Sequence, residues 1–253
     1  MTALDWAADA RLSVGVLALI ALGVAALTLA RVPRRLAIVT AAGRAVLQLS
    51  VVALALRGVF AAPALTAVAL AVMFAVATWT AGGRLRGLED ARSAVVLACG
   101  LGAAPVIGII WGAEVLDRSA RVLVAVGGIV FGGVMSAATL AGRHLREAMI
   151  RRRDEIEGWL ALGATMRQAA ADCARSAAGE ALVPALDQTR TVGLVTLPGA
   201  FVGALLGGAS AADAARFQVV VLVGLLAAEA ITVVALTHLL GAPARLPVPE
   251  PSG

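Results

Sequence analysis

Hydrophobic residues in this chain come in long blocks, not in the alternating pattern of strands or the one-sided pattern of surface helices. Seven apolar segments follow one another, at about Leu12–Ala30, Leu36–Leu56, Pro63–Thr80, Ser93–Gly112, Val122–Ala141, Thr191–Gly208 and Phe217–Leu240. Each has roughly the 18–25 residues that an α-helix needs to cross ~30 Å of hydrocarbon. The runs are Ala/Leu-rich and far longer than the ~10-residue strands of a membrane barrel. The pattern predicts an all-α polytopic bundle of about seven transmembrane helices, with residues 1–253 forming one transmembrane domain. The first segment reads as a helix and not as a secretory leader. Asp5 and Asp9 precede it where a leader is basic, and its apolar stretch is longer than a usual leader core.

Composition supports this pattern. Charged residues make up 15% and hydrophobic ones 60% of the chain, against roughly 25% charged in a soluble domain. No polar block is long enough to fold a second core. The net charge is +5, and all 21 basic side chains are Arg. A chain without Lys has no GxxxxGK phosphate loop and no Schiff-base nucleophile, so any ATP and Mg must be bound by another chain.

The arginines are better explained by topology than by nucleic acid. Arg31, Arg34, Arg35, Arg84, Arg86, Arg92, Arg143, Arg146, Arg151, Arg152, Arg153, Arg167, Arg175, Arg190 and Arg245 fall on one side of the predicted spans. Only Arg11, Arg57, Arg118, Arg121 and Arg216 fall on the other. The positive-inside rule then predicts an external N-terminus and a cytoplasmic C-terminus in the plasma (inner) membrane. Cys99 lies in an apolar run and Cys173 in a polar one, so free thiols are expected. His144 and His238 are far apart, and nothing has zinc-site spacing.

One connector is long. About fifty residues, Gly142 to Arg190, separate the fifth and sixth segments on the predicted cytoplasmic side. Its first part, Arg143 to Glu157, reads as a water-exposed helix continuing the fifth segment. In the Ala-rich tract Met166–Leu182, Asp172 and Arg175 are spaced to meet on one face, and Pro184 is expected to break or kink the helix. Connectors of this length tend to be functional, which favours a docking surface over a plain link. The charge run Arg151–Arg153, Asp154, Glu155, Glu157 suits anionic lipid, a partner protein, or simple solvation.

Within this connector, Leu160-Ala-Leu-Gly-Ala-Thr165 resembles the coupling loop of ABC permeases, where a Glu stands six residues before a Gly, as Glu157 and Gly163 do here. A short helix ending on a glycine turn would seat in a cleft of an ATPase. The importers' later Ile-x-Leu-Pro element is missing at its expected distance. A wider resemblance covers residues 35–240. The blocks Gly43-Arg-Ala-Val-Leu-Gln-Leu49, Leu160–Thr165, Ala181-Leu-Val-Pro-Ala-Leu-Asp187, Thr191-Val-Gly-Leu-Val-Thr-Leu-Pro-Gly199 and Arg216-Phe-Gln218 are similar to the FetB-type iron-export permease family, which has plant relatives linked to aluminium tolerance.

That resemblance implies a membrane subunit paired with a separate ATP-binding subunit, export in place of uptake, and iron as cargo. A homodimer with two ATPase copies is expected. It carries the coupling role onto Glu157, Leu162, Gly163, Ala164 and Thr165, and marks Pro184, Asp187, Gly193, Pro198, Gly199 and Gln218 as motif positions. The chain departs from the pattern at Gly133, where the family has Asn, and at Ser210-Ala211, where it has Asp-Pro.

Three polar side chains sit inside predicted spans. Glu229 lies mid-way along the seventh segment, where a carboxylate costs roughly 2.5–3.5 kcal/mol and normally faces a partner or a wet cavity. It is either a cation ligand or gating group, or a structural partner for Arg44. Arg44 and Gln48 share a helix face and either line a path or hydrogen-bond between helices. Met73, Thr78, Cys99, Met135 and Ser136 read as packing, since iron prefers oxygen and imidazole donors. The metal ligands are left unassigned. Gly127, Gly128, Gly132 and Gly133, and Gly199, Gly203 and Gly207, read as close-packing faces, with Pro198 as a kink. The rival class is an ion-gradient-driven secondary transporter using Glu229. A membrane scaffold that only docks a cytoplasmic protein is a third.

Overall fold

A computed structural model describes residues 3–33, 36–60 and 62–248. These residues form α1 (Ala3–Leu29), α2 (Ala37–Val59), α3 (Pro63–Arg84), α4 (Ala91–Gly112), α5 (Ala120–Arg151), α6 (Arg153–Ala161), α7 (Met166–Ala169), α8 (Ala171–Thr191), α9 (Gly199–Leu206) and α10 (Ala211–Leu240). Arg34 and Arg35, used in the topology argument, lie outside the described residues. The chain divides into two compact units, residues 1–62 and 63–253.

The first unit is a helical hairpin in which α1 packs on α2. Its turn is closed by the Val32 N–H donating to the Leu27 carbonyl at 2.9 Å. Both helices expose large aliphatic side chains, among them Leu12, Leu17, Leu19 and Leu47. Such surfaces are stable where the solvent is itself apolar.

In the second unit α10 packs on α4, α5, α8 and α9, and α5 packs on α3, α4 and α8. The contact surfaces are built of small residues: Ala81, Ala98, Ala138, Ala141 and Ala228 are fully buried beside Val95, Val134, Val233 and Leu236. In lipid no hydrophobic force drives helices together, so close backbone approach and dispersion supply the association. The glycine face of α5 serves this purpose: Gly127 and Gly128 lie against the tips of Leu70 and Met73. The glycines of α9 do not within this unit, since no described atom stands within 4 Å of a Cβ at Gly199 or Gly203.

Among the described residues, six helices are long and apolar enough to cross a membrane: α1, α2, α3, α4, α5 and α10. The sixth expected segment, Thr191–Gly208, is not a continuous helix. The helix before it runs on through Pro184 to Thr191, the chain opens over 192–198, and α9 adds only eight residues. Eight residues cover about 12 Å, well under the ~30 Å of a bilayer core. Pro184 therefore does not end its helix, and Pro198 is not a kink within one. Pro198 sits at the N-cap of α9, where its missing N–H costs nothing.

The pairing of α8 explains how this passage is completed. Arg152 Nη2 lies 3.8 Å from Asp172 and His144 Nδ1 3.4 Å from Glu180, eight residues apart on both helices, so α8 runs antiparallel to α5. Helix α8 thus climbs back beside α5 and α10, and α9 continues it past the opening. The sixth expected passage is thus made of two helical pieces, α8 and α9, with the opening between them.

Helix α5 has 32 residues, about 48 Å, and extends well beyond the apolar stretch at its arginine-rich end. There the chain after α10 folds back. Arg146 Nη2 donates to the Val248 carbonyl at 2.8 Å, and the Ala244 N–H donates to Glu89 Oε2 at 3.1 Å. The α3–α4 loop, the end of α5 and the residues after α10 therefore meet at one end of the second unit, as the arginine distribution requires. Arg190 is the exception: it belongs to the climbing part of α8 and not to this end, which leaves the sign of the charge bias unchanged.

Candidate functional site

The connector forms a rigid elbow at the arginine-rich end. Arg152 breaks the helix after α5 and makes a two-pronged contact with Glu155, both bonds 2.7 Å. This guanidinium holds the Glu155 carboxyl below its usual range. On α6, Arg153 Nε donates to Glu157 at 2.7 Å, so the coupling-position Glu is tied to its own helix. Ile156, on the opposite face, is buried and joins the core with Met149, Leu145, Ala169 and Ala170.

Helix α6 ends in a Schellman turn. The Gly163 N–H donates to the Leu160 carbonyl and the Ala164 N–H to the Trp159 carbonyl, each at 3.0 Å. Gly163 has φ +91°, a left-handed conformation that costs a side-chain-bearing residue about 1–2 kcal/mol. Thr165 then starts α7 with a capping box: its Oγ1 accepts from the Gln168 N–H at 3.3 Å, and its own N–H donates to Gln168 Oε1 at 2.8 Å. The motif Leu160–Thr165 is thus a helix stop followed directly by a helix start. Trp159 is 51% and Leu162 81% exposed, and at i, i+3 they share a face. Trp159 was not singled out from the sequence; its spacing from Leu162 is the signal that points to it.

The cap gives a direct test of the elbow. Thr165→Ala should cost about 1 kcal/mol of local stability, or roughly fivefold faster amide exchange across α7. Thr165→Ser should behave as wild type. Hydrogen exchange read by mass spectrometry decides it, and unchanged protection in the alanine variant would contradict the capping geometry.

The second feature is the opening between α8 and α9, formed by the motif Thr191–Gly199. The Thr191 carbonyl gathers the N–H groups of Leu194 and Val195, at 3.2 and 2.9 Å. Gly193 turns at φ +82° and its N–H donates to the Thr196 carbonyl at 2.9 Å. Beside it lies a cavity of about 320 Å³, lined by Gly193, Pro198 and Phe201 and by Gln218 of α10. Gln218 is buried, and its Oε1 has no hydrogen-bond partner among the described residues. Opened helices of this kind are tolerated in membranes only inside protein or against a wet cavity.

Further along α10, Glu229 and Thr232 are 7% and 0% exposed, and Glu229 Oε2 and Thr232 Oγ1 have no hydrogen-bond partner among the described residues. The Glu229 carboxylate sits against Gly133 of α5, in space that a side chain there would fill, and Thr232 against Gly102 of α4. Residues 218, 229 and 232 fall on one stripe of α10, a grouping that required knowing which face is buried. Arg44 and Gln48 lie one turn apart on α2 in the first unit, both exposed.

Among the side chains read as packing, polar groups are bonded within their own helix or to the neighbouring one. Thr78 bonds the Phe74 carbonyl, Ser136 that of Gly132, and the Cys99 thiol faces the Val134 carbonyl at 3.7 Å. Cys99 and Cys173 are free and buried. Asp172 and Arg175 pair as expected. Among the described residues no three His, Cys, Asp or Glu come together.

Six helices of spanning length, a seventh passage opened along its course, and a capped elbow at the arginine-rich end define a polytopic helical membrane protein. The chain belongs to the family described as "Uncharacterised protein family (UPF0014)", whose model matches residues 12–242. It is 34% identical over 201 residues to the UPF0014 membrane protein STAR2 of rice, covering 79% of this chain and 70% of that one. It is 31% identical to Protein ALUMINUM SENSITIVE 3 of Arabidopsis thaliana, covering 78% and 72%. It is 28% identical to the probable iron export permease protein FetB of Escherichia coli, covering 78% and 77%. No solved structure matches.

Proposed function

We propose that this protein is the permease subunit of an ABC exporter in the plasma (inner) membrane. It works as a homodimer with two copies of a cytoplasmic ATP-binding subunit. The observation that carries this reading is the elbow: a braced α6, a glycine turn, a capped α7, and Trp159 and Leu162 left bare at the arginine-rich end. A surface this ordered and this apolar suits a protein cleft better than water. The absence of Lys from the chain fits a division of labour in which ATP and Mg belong to the partner.

The arginine bias supports an external N-terminus and a cytoplasmic elbow. The name of the Escherichia coli relative supports export and iron as the cargo. ATP binding closes the ATPase pair and moves the elbow, and α5 and α8, which share its buried base, carry the motion to the opened passage.

A gentle detergent purification from the native membrane, with mass spectrometry of what co-purifies, tests the class. An ATP-binding protein in about equimolar amount is expected. A chain that purifies alone, in a detergent that keeps other such complexes intact, would replace this reading with gradient-driven transport. The Glu229→Gln variant would then be the next one to make.

A further inference from the structure

Helix α8 carries charge to a depth where lipid cannot solvate it. Its register is set at both ends. Near its start, Ala174 lies against Gly241 at the end of α10. Just past its end, Val192 and Gly193 share a cavity with Gln218, Val219 and Leu222 of α10. Counting at 1.5 Å per residue from these two contacts puts Asp187 level with about residues 225–228, near the middle of the apolar run of α10. The α5 contacts agree to within about one turn. Asp187 stands seven residues past Glu180, which touches His144, and so is level with Ala137, inside the apolar stretch of α5.

At that depth Asp187 and Arg190 are 62% and 75% exposed, and they touch each other at 3.4 Å. Gln188, Thr191 and Thr196 beside them are also exposed, and so are Leu194 and Val195. Charged groups in mid-membrane face a bundle interior or water-filled space, not acyl chains. This face of α8 is therefore an inner surface, turned to protein or water and not to lipid.

The pair is also self-complementary. An acid and a base three residues apart, about 4.5 Å along the axis, lie on one face. A two-fold axis along the membrane normal then brings Asp187 of each copy within reach of Arg190 of the other, the isologous contact that two identical surfaces make. We propose that this face of α8, with the opened segment Val192–Thr196, is the seam between two copies of the chain, and that the cargo path runs along it. The proposal rests on the permease reading for the path, and on the depth and charge of α8 for the seam.

Oxidative cross-linking in native membranes tests it. With the buried Cys99 and Cys173 left in place, Gln188→Cys should give a dimer-sized product with copper-phenanthroline. Wild type and Val72→Cys, on the exposed face of α3, should give none. Asp187→Arg added to Gln188→Cys should cut the yield at least about tenfold, and the swap of Asp187→Arg with Arg190→Asp should restore it. No product from Gln188→Cys, or equal product from Val72→Cys, would overturn the seam. If Asp187→Arg fails to insert, the Gln188→Cys and Val72→Cys pair alone decides. The same membranes are probed for the ATP-binding subunit. A co-purifying ATPase without a cross-link overturns the seam and leaves the permease reading intact. A cross-link without an ATPase keeps the seam and removes that reading.

Discussion

Gly102→Ala is expected to destabilise the second unit by about 3 kcal/mol or more, at or above the usual range for overpacking. A methyl group at residue 102 would stand 2.1 Å from Thr232 Oγ1 and 2.4 Å from the Ala228 carbonyl oxygen. The hydroxyl could rotate away, but the carbonyl is backbone. Helix α10 would have to move off α4 along one of its main contacts in this unit. Thermal unfolding of the purified protein, followed by loss of the monodisperse gel-filtration peak, reads the effect. Gly108→Ala, on the same helix with nothing within 4 Å, should be neutral. Adding Thr232→Ala to Gly102→Ala should give little relief, because the carbonyl clash persists. A stable Gly102→Ala protein would mean that α4 and α10 are not packed as described.

The second large effect concerns function and not folding. Gly163→Trp should reach the membrane at wild-type levels and lose at least about tenfold of ATP-driven export, equivalent to ~1.4 kcal/mol of coupling. No atom of the described residues lies within 4 Å of a Cβ at this position, so a side chain here starts into open space. The internal cost is the left-handed backbone, about 1–2 kcal/mol. Gly163→Ala bears the same backbone cost without the bulk. If the elbow seats in an ATPase cleft, tryptophan uncouples and alanine does so far less. Normal export by Gly163→Trp would remove the elbow from the coupling role. Equal loss in both variants would assign the effect to strain in the turn.

The contrast between these glycines shows where sequence reasoning stops. Gly163 was legible because its requirement is local. A Schellman turn and a capping box involve residues no more than five apart, and Thr165 and Gln168 have the spacing that such a cap requires. Gly102 stood in an apolar run with no feature to separate it from Gly100 or Gly108. Its importance lies entirely in which face of α4 meets α10. Glu229 was conspicuous as a lone acid in a span, yet its neighbours, Gly133 on one side and the Thr232 turn on the other, come from pairings that no periodicity encodes.

The opened passage is a second case. An apolar count cannot tell a continuous span from two helical pieces, because Val, Leu, Gly and Pro raise or hold hydropathy whatever the backbone does. Gly193 stood out only as a motif position and Pro198 as a kink, and a proline is also tolerated inside α4 and α8. Only the packed neighbours decide whether such a residue bends a helix, starts one, or stands within it.

Some properties follow from the chain alone, since they depend on summed composition and on pieces shorter than a helix. These are the all-helical membrane class, the bias of arginine to one end, the exclusion of a lysine phosphate loop, and the elbow motif. Long-range register decided the rest. The antiparallel return of α8 along α5 and α10 brought Asp187 and Arg190 near the middle of the apolar run of α10, and it set Gln218 beside the opening. In lipid, side-chain hydropathy places a helix in the bilayer without saying which of its faces meets another helix. That choice rests on shape and on scattered polar groups, and it appears only when the helices are seen together.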